Sequence, residues 1–364
     1  MISLSLLLIT QLATPSPSPS AIDSVQLVTR DIPNFWRAYD LAAGKDSAER
    51  VRIFRTVYLE PGSPGLHDWT RARLMNRDTV LARLRAAGWG KDRFDSLPRD
   101  SADKIFVPFA QQSAAEELVR ALTRYPRLYA SLRAATLAVD TNGTVTSGIR
   151  RGLAKLAALY PEARFPNIYF LMGTTSTGGT TGRSGMLIGT EQVSIGPDTP
   201  VDELPPWAQS LRLMHSGPAS LVGLVVHEAV HTQQKPRPEG QHETLLRHAL
   251  AEGIADFLAE LAVGPSAAHT PRQVYGGAHE HEVWVDFQRD MERYEPNDST
   301  IKTWMYNGML PEGKNHGAID IGYWVGFRIA GTYYNRAADK RAAVRDLLEL
   351  KDPEAILRAS GYAP

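Results

Sequence analysis

Two histidines one helical turn apart are the clearest chemical signal in this sequence. His227 and His231 flank Glu228 in the pattern H-E-x-x-H, and the four-residue spacing places both imidazoles on one face of a helix. Such a pair can bind one zinc ion, and the glutamate is placed to take a proton from the zinc-bound water. The pattern predicts a metal site with Glu228 as general base. A buried helix whose histidines serve only the core is the alternative interpretation.

A catalytic zinc ion usually has three protein ligands and one open position, so a further ligand must come from elsewhere in the chain. Glu252 is the predicted third ligand, and it begins the helical segment Glu-Gly-Ile-Ala-Asp. Asp256 follows four residues later on the same face, and Gly253 allows another backbone to approach closely. His248 lies one turn before Glu252 and lines the cleft or serves packing.

These paired helices resemble those of thermolysin-like metalloproteases, the gluzincins, in which a Glu-x-x-x-Asp helix follows the helix that carries the histidines. The resemblance implies that Glu252 binds Zn²⁺. It also implies that Asp256 accepts a hydrogen bond from the free imidazole N–H of a zinc-binding histidine, which fixes the tautomer of that ring. A charge on the helix surface is the alternative interpretation of Asp256.

The wider sequence resembles a bacterial family of predicted zinc-dependent proteases, the YjaZ-like domain of unknown function, which is related to the gliding-motility lipoprotein B group. The resemblance extends from about residue 32 to residue 362, and the two zinc-site motifs are its specific part. It implies a gluzincin-type fold with a cleft between an upper subdomain that includes the sheet and a helical lower one. Other matching segments are residues 35–40, 62–66, 165–170, 187–191, 304–308 and 320–326.

The elements that must position these residues are mainly helices, with a small sheet immediately upstream. The expected class is α+β. Residues 22–160 are expected to form a helical N-terminal region and residues 161–364 the zinc metalloprotease region, and the two regions can form one unit. Short strands are predicted at residues 167–172 and 185–193, separated by a Gly/Thr/Ser-rich loop at 173–184. Apolar residues at helical spacing predict helices near residues 114–132, 148–160, 220–234, 243–263, 280–295, 318–335 and 337–350.

A peptide substrate requires two accessory elements, a strand that pairs with it and a donor for the oxyanion. The strand around residues 187–193, with Gly189 and Thr190, is predicted to align the substrate; an ordinary structural strand is the alternative. Tyr323 is the predicted oxyanion donor, because a phenol donates a hydrogen bond without titrating near neutral pH. The other candidates for this role or for the cleft are His316, Tyr306, His279 and Glu280.

Composition limits the classes of function. Forty basic residues balance forty acidic ones, so no long-range field draws the chain onto nucleic acid. The chain has no cysteine, which leaves His, Asp and Glu as metal ligands and excludes the lipid-modified cysteine of a lipoprotein.

The N-terminus predicts export. Residues 1–12 are mostly apolar and are followed by Ala13 and a Pro/Ser repeat, which predicts a secretory signal peptide and linker at residues 1–21. An uncleaved membrane anchor is the alternative, although about ten apolar residues are short for a bilayer span. We expect a periplasmic or extracellular protein with no stable membrane insertion once the signal is removed.

The leading hypothesis from sequence is a zinc-dependent peptidase that acts on peptide or protein substrates. One alternative is a non-catalytic, metal-stabilised binding or assembly factor of the cell envelope, and another is a zinc hydrolase for a non-peptide amide. The intact H-E-x-x-H pattern favours an enzyme, because a scaffold has no need of Glu228. Substrate preference and oligomeric state are not encoded in these motifs.

Overall fold

The computed structural model describes residues 22–89, 96–141, 143–213, 218–265, 270–293, 299–307 and 316–364. The predicted signal peptide and linker at residues 1–21 lie outside the described residues, as does Gly308 of the resemblance. The described part is mainly helical with one small sheet, which confirms the expected α+β class. None of the described helices is both long and apolar enough to cross a bilayer.

Helices precede most of the sheet along the chain. These helices are α1 (Asp31–Leu41), α2 (Ser47–Ile53), α3 (Pro64–Trp69), α4 (Arg77–Ala86), α5 (Arg99–Arg124), α6 (Pro126–Thr141) and α7 (Gly143–Leu159). α2 and α3 continue as π-helical turns, Phe54–Leu59 and Thr70–Leu74. Side chains cap the starts of both helices: Asp46 accepts a hydrogen bond from the backbone N–H of Glu49, and Ser63 caps α3, whose first residue is a proline.

The helical stretch predicted at residues 114–132 is interrupted. α5 ends at Arg124 and α6 begins at Pro126, because proline lacks an amide hydrogen and disfavours helical geometry in the residue before it. Tyr125, between the two helices, has φ −126° and ψ 53°. Apolar residues recur at helical spacing on both sides of the break, so the periodicity alone did not reveal it.

The sheet has four strands, β1 (Leu27–Val28), β2 (Ile168–Leu171), β3 (Gly179–Thr181) and β4 (Met186–Gly189). Their order in the sheet is β1-β2-β4-β3. β2 pairs in parallel with β1 and β4, whereas β3 runs antiparallel to β4. Among the described residues β3 has no second partner strand, so it forms an edge of the sheet.

Two strand predictions need correction. The strand predicted at residues 185–193 ends at Gly189, and the short helix α8 (Thr190–Val193) follows it. The predicted loop at residues 173–184 contains β3, whose Gly-Thr-Thr sequence lacks the apolar alternation of a typical strand. β3 forms because its backbone pairs with β4, a tertiary cause with no local sequence signal.

The helices after the sheet include those that carry the H-E-x-x-H and Glu-x-x-x-Asp motifs. Thr244 caps the helix that begins at Leu245 by accepting a hydrogen bond from the backbone N–H of Arg247, and Gly264, with φ 87°, ends that helix. These helices are α9 (Pro206–Gln209), α10 (Pro218–His231), α11 (Leu245–Val263), α12 (Pro271–Ala278), α13 (Glu280–Asp290), α14 (Ser299–Trp304), α15 (Ile321–Arg336), α16 (Lys340–Glu349) and α17 (Pro353–Ser360).

Close helix packing fixes α10 and α11 relative to their neighbours. On α7, Gly152 lies against Val226 of α10 and Val263 of α11. A Cβ at Gly253 of α11 would lie 2.1 Å from the carbonyl carbon of Gly326 on α15, so these two backbones are in contact. The close backbone approach predicted at Gly253 is therefore confirmed, with α15 as the partner. One hydrophobic core joins these helices to the sheet and to the N-terminal helices.

Candidate metal centre

The structure brings His227, His231 and Glu252 together. The two histidines lie one turn apart near the C-terminal end of α10, and Glu252 approaches them from the middle of α11. Their side chains are mostly buried, with exposed fractions of 12%, 23% and 13% respectively. Within the described residues, they are the one group of histidine, aspartate or glutamate ligand atoms found close enough together to hold a metal ion.

The three donor atoms have the spacing of ligands around one zinc ion. Nε2 of His227 and Nε2 of His231 are 3.0 Å apart, and Oε2 of Glu252 lies 3.1 Å from His231 Nε2 and 3.5 Å from His227 Nε2. Atoms at these separations all lie about 1.9 Å from one common centre, close to the ~2.0–2.2 Å of zinc bonds to nitrogen and oxygen. The donor set therefore fits zinc in both chemistry and size.

Hydrogen bonds behind the two rings orient their Nε2 atoms toward Glu252. Nδ1 of His227 lies 2.8 Å from Oδ1 of Asp256, which is the contact expected for Asp256. Nδ1 of His231 lies 2.8 Å from Oε1 of Gln234, whose amide nitrogen donates to the carbonyl of Ala251 on α11. Both Nδ1 atoms face acceptors, so the hydrogen of each neutral imidazole belongs on Nδ1 and Nε2 is the nitrogen that would bind a metal.

Arg272 completes this arrangement and was absent from the sequence predictions. Its Nη2 donates to Oδ2 of Asp256 at 2.7 Å, and its guanidinium stacks 4.6 Å from the ring centre of Tyr323. Arg272 is the second residue of α12 and approaches α11 through tertiary packing, so no local spacing indicates it. Gln234 was detectable, because it follows His231 by three residues, a spacing that brings side chains together at the end of a helix.

The electrostatics of the centre favour a cation. Burial lowers the pKa of His227, but the carboxylates of Asp256 and Glu252 outweigh this effect and raise the pKa to about 10. Burial raises the pKa of Glu252, yet its contacts with both histidines hold that pKa well below its usual value. The two carboxylates thus favour a positive charge at the imidazoles. A divalent cation at the Nε2 atoms would supply that charge in place of a proton.

Glu228 lies under the edge strand. It is buried, and a Cβ placed on Gly179 of β3 would come within 2.4 Å of its Oε1 atom, so only glycine leaves room for the carboxylate. Burial raises the pKa of Glu228, while His227, His231 and the more distant Arg73 act in the opposite direction. A carboxylate with a raised pKa is suited to accept and return a proton near neutral pH.

Two tyrosines approach Glu252. The hydroxyl of Tyr306 donates to Oε1 of Glu252 at 2.7 Å, and 56% of this tyrosine is exposed. Burial and Glu252 raise the pKa of the Tyr306 phenol, so it remains a donor at neutral pH. Tyr323, the predicted oxyanion donor, lies half-buried with its ring 6.1 Å from that of Tyr306. Burial raises the pKa of the Tyr323 phenol well above its usual value, and Glu252 adds to the effect.

A reciprocal pair of hydrogen bonds holds Tyr306 in position. The backbone N–H of Asn307 donates to Oδ1 of Asp320, and the backbone N–H of Asp320 donates to Oδ1 of Asn307. Tyr306 and Asp320 have φ of 55° and 54°, a left-handed conformation that is costly for residues other than glycine. His248 also touches Tyr306, ring edge to ring face at 6.2 Å, so His248 lines this side of the centre.

Gly189 and Thr190, the residues predicted to bind substrate, lie in the interior of the sheet region. β4 is paired on both sides, by β2 and β3, and Thr190 is fully buried at the start of α8. A Cβ on Gly189 would meet the carbonyl oxygen of Thr177 at 2.2 Å. Neither residue offers a free strand edge, so the prediction is corrected: the available edge belongs to β3.

Other predicted cleft residues make structural contacts elsewhere. His316 stacks on Trp304 with ring centres 3.7 Å apart, and His279 stacks on Tyr275. Glu280 forms an ion pair with Arg328 at 3.0 Å and accepts a hydrogen bond from the Tyr362 hydroxyl. The described contacts of these three residues do not include the candidate metal ligands.

Comparison with known families places this site in context. The sequence profile of the family described as gliding motility protein GldB matches residues 99–364, which is more than half of the chain. The chain belongs to the gliding motility protein GldB family. This match confirms the relation to the gliding-motility group that the sequence resemblance indicated. No curated protein and no solved structure matched the chain significantly.

The segment matched to the GldB family contains the whole candidate centre. Both histidines of α10, Glu252 and Asp256 of α11, Arg272 and Tyr306 all lie within residues 99–364. The first four helices, α1 to α4, and β1 precede that segment. The family description names gliding motility and no reaction.

Proposed function

We propose that this protein is a zinc-dependent peptidase of gluzincin type. The observation that carries the proposal is the convergence of His227, His231 and Glu252 Oε2 at zinc-ligand spacing, with Glu228 adjacent to the first ligand. When bound, zinc supplies a Lewis acid that polarises the substrate carbonyl and makes a water acidic enough to attack it. We also propose that the resemblance to the YjaZ-like predicted proteases reflects a gluzincin-type fold.

The residues of the chain account for each proton in the hydrolysis. Glu228 takes a proton from the attacking water as the water oxygen bonds to the carbonyl carbon. The oxyanion of the resulting tetrahedral intermediate is assigned to the exposed hydroxyl of Tyr306 rather than to the predicted Tyr323. A phenol has one hydrogen to donate, so Tyr306 would exchange its hydrogen bond to Glu252 for one to the oxyanion. Glu228 then returns the proton to the amide nitrogen, the C–N bond breaks, and an amine and a carboxylic acid leave. Asp256 and Gln234 hold the two imidazoles in place throughout.

The edge of β3 supports a peptide as the substrate. Among the described residues no strand pairs with the outer edge of β3, so an extended chain can pair there. The carbonyl of Gly179 accepts a hydrogen bond from the Thr177 hydroxyl, which a pairing chain would replace, and Gly179 brings this edge into contact with Glu228. A peptide paired there runs past the general base. This position replaces the interior strand around Gly189 as the predicted alignment element.

The proposal is tested with purified protein and its Glu228→Gln variant. Each is measured for bound zinc by elemental analysis and for cleavage of a peptide library by mass spectrometry. We expect about one zinc per chain in both proteins and cleavage only by the unsubstituted protein. Equal cleavage by the variant would exclude Glu228 as the base, and a chain without zinc affinity would exclude the proposal.

The GldB family match favours a second candidate, a non-catalytic assembly or binding factor of the cell envelope. In that case a metal would stabilise the fold around α10 and α11 without turnover. The predicted signal peptide, which indicates an exported protein, is compatible with both candidate functions. Partner binding that survives zinc removal, together with no cleavage of any peptide, would favour the second candidate.

A further inference from the structure

The edge strand β3 has different chemistry on its two faces. A Cβ on Gly179 would point to Glu228, so this face belongs to the candidate metal centre. Successive side chains of a strand point to opposite faces. Thr180 accordingly points the other way, and its hydroxyl accepts a hydrogen bond from Nη2 of Arg73 at 3.3 Å.

Arg73 approaches this edge from the π-helical turn that continues α3. Its side chain is exposed, and no carboxylate among the described residues forms an ion pair with it. Arg71, two residues earlier, is already paired with Asp103 at 2.9 Å. Arg73 is near enough to the buried Glu228 to lower its pKa, but the hydrogen-bond partner of its guanidinium is the neutral Thr180. The guanidinium therefore has no carboxylate in direct contact among the described residues.

An extended chain that pairs with β3 meets these two faces in turn. The substrate residue opposite Gly179 shares the face of Glu228, and the residue opposite Thr180 shares the face of Arg73. The forked guanidinium of arginine matches the two oxygens of a carboxylate in geometry and in charge. The substrate residue next to the one that faces Glu228 therefore lies on the same face of β3 as Arg73.

We infer that Arg73 binds a carboxylate of the substrate and gives the protein a preference for peptides with an acidic residue at this position. The inference rests on the proposed peptidase function. A side chain of Asp or Glu carries such a carboxylate, and so does the C-terminus of a short peptide. The geometry requires only that the carboxylate reach the face of β3 that carries Thr180.

The test uses the zinc-loaded Glu228→Gln variant, which is expected to bind peptides without cleaving them. Fluorescence anisotropy measures the binding of one peptide in three forms. The first form is a series with an amidated C-terminus in which Glu occupies each internal position in turn. The second has Gln throughout and an amidated C-terminus, and the third has Gln throughout and a free C-terminus. At one position, Glu is expected to strengthen binding about fivefold, the scale of one partly exposed charge pair. High salt is expected to reduce the difference. Stronger binding of the free C-terminus alone assigns the carboxylate to the peptide end.

Two arginine variants in the same background identify the residue responsible. Arg73→Gln is expected to abolish the preference, whereas Arg71→Gln is expected to keep it, because that arginine is already paired. Thermal unfolding checks that each variant is folded. Equal binding of acidic and neutral peptides, or a preference that survives Arg73→Gln, would overturn the inference.

Cleavage by the unsubstituted protein separates this inference from the proposed function. Cleavage of neutral peptides without any preference for a carboxylate leaves the peptidase intact and removes the role of Arg73. Neither cleavage nor binding of any peptide overturns both.

Discussion

The hydroxyl of Tyr306 lies 2.7 Å from Oε1 of Glu252, the carboxylate oxygen that does not face the histidines. One side chain thus contacts a candidate metal ligand while more than half of it is open to solvent. The left-handed backbone at Tyr306, held by Asn307 and Asp320, fixes the phenol at this place. A strained backbone beside a candidate catalytic centre is consistent with a positioned functional group.

Replacing Tyr306 by Phe is expected to lower kcat about a hundredfold, the usual cost of one oxyanion donor, with zinc content unchanged. Tyr323→Phe is the matched control, because it removes a buried phenol from the neighbouring tyrosine and keeps the ring that stacks on Arg272. Steady-state kinetics of both variants decide between the two phenols. A larger loss in Tyr323→Phe would return the oxyanion role to Tyr323.

Asp256→Asn is expected to weaken zinc binding about 10- to 100-fold, because the His227 ring loses the charged acceptor that orients it. Competition with a chelator of known affinity measures the effect. Glu280→Gln serves as control, since Glu280 is also paired with an arginine but has no described contact with the centre. Similar zinc affinities in the two variants would contradict the role of Asp256.

Arg272→Gln is expected to destabilise the folded protein by about 3 kcal/mol, because it leaves the mostly buried Asp256 carboxylate without its arginine partner. Zinc affinity is expected to fall less than in Asp256→Asn, since the His227 contact remains. Arg328→Gln removes a more exposed arginine with a similar carboxylate and ring contact, and its effect should be smaller. Thermal unfolding and chelator competition test both statements, and an unchanged melting temperature in Arg272→Gln would contradict the first.

Gly179→Ala is expected to retain zinc and to lose most activity, because the added Cβ would displace the Glu228 carboxylate. Gly196→Ala is the control, since a Cβ there meets nothing within 4 Å. Zinc content and kcat are measured for both. Full activity in Gly179→Ala would show that β3 can shift away from Glu228 without consequence.

The stability of the protein is expected to fall between about pH 4.5 and about pH 7 because of Glu191. This residue is fully buried, and burial raises its pKa from 4.5 to about 7, although the backbone N–H of Thr175 partly opposes the shift. In this range the folded chain keeps the proton that the unfolded chain has lost, so the unfolding free energy declines as pH rises. The total change corresponds to about 3 kcal/mol.

Denaturant unfolding at several pH values measures this contribution. Glu191→Gln removes the titrating group, and its unfolding free energy is expected to vary less over the same range. The same slope in the variant and in the unsubstituted protein would rule out Glu191 as the source.

Local spacing made much of the candidate centre predictable. In a helix, residues four apart share one face whatever the rest of the chain does, so His227 with His231 and Glu252 with Asp256 could be paired from sequence alone. The same periodicity located the helices that carry them. The absence of cysteine narrowed the ligands to the residue types that the structure brings together.

Only the tertiary structure decided which distant residues complete the centre. Arg272, Tyr306 and Gly179 reach it from three separate elements, and each stands in a sequence context with no chemical motif. β3 is a strand because its backbone pairs with β4. Since β3 covers that side of β4, the unpaired edge of the sheet lies at β3, next to Glu228, and not at Gly189. The sequence by itself determined the helical pairs, because those pairs depend on short-range geometry. The tertiary structure decided that β3 lies beside Glu228 and Tyr306 beside Glu252, because both contacts depend on packing between elements far apart in the chain.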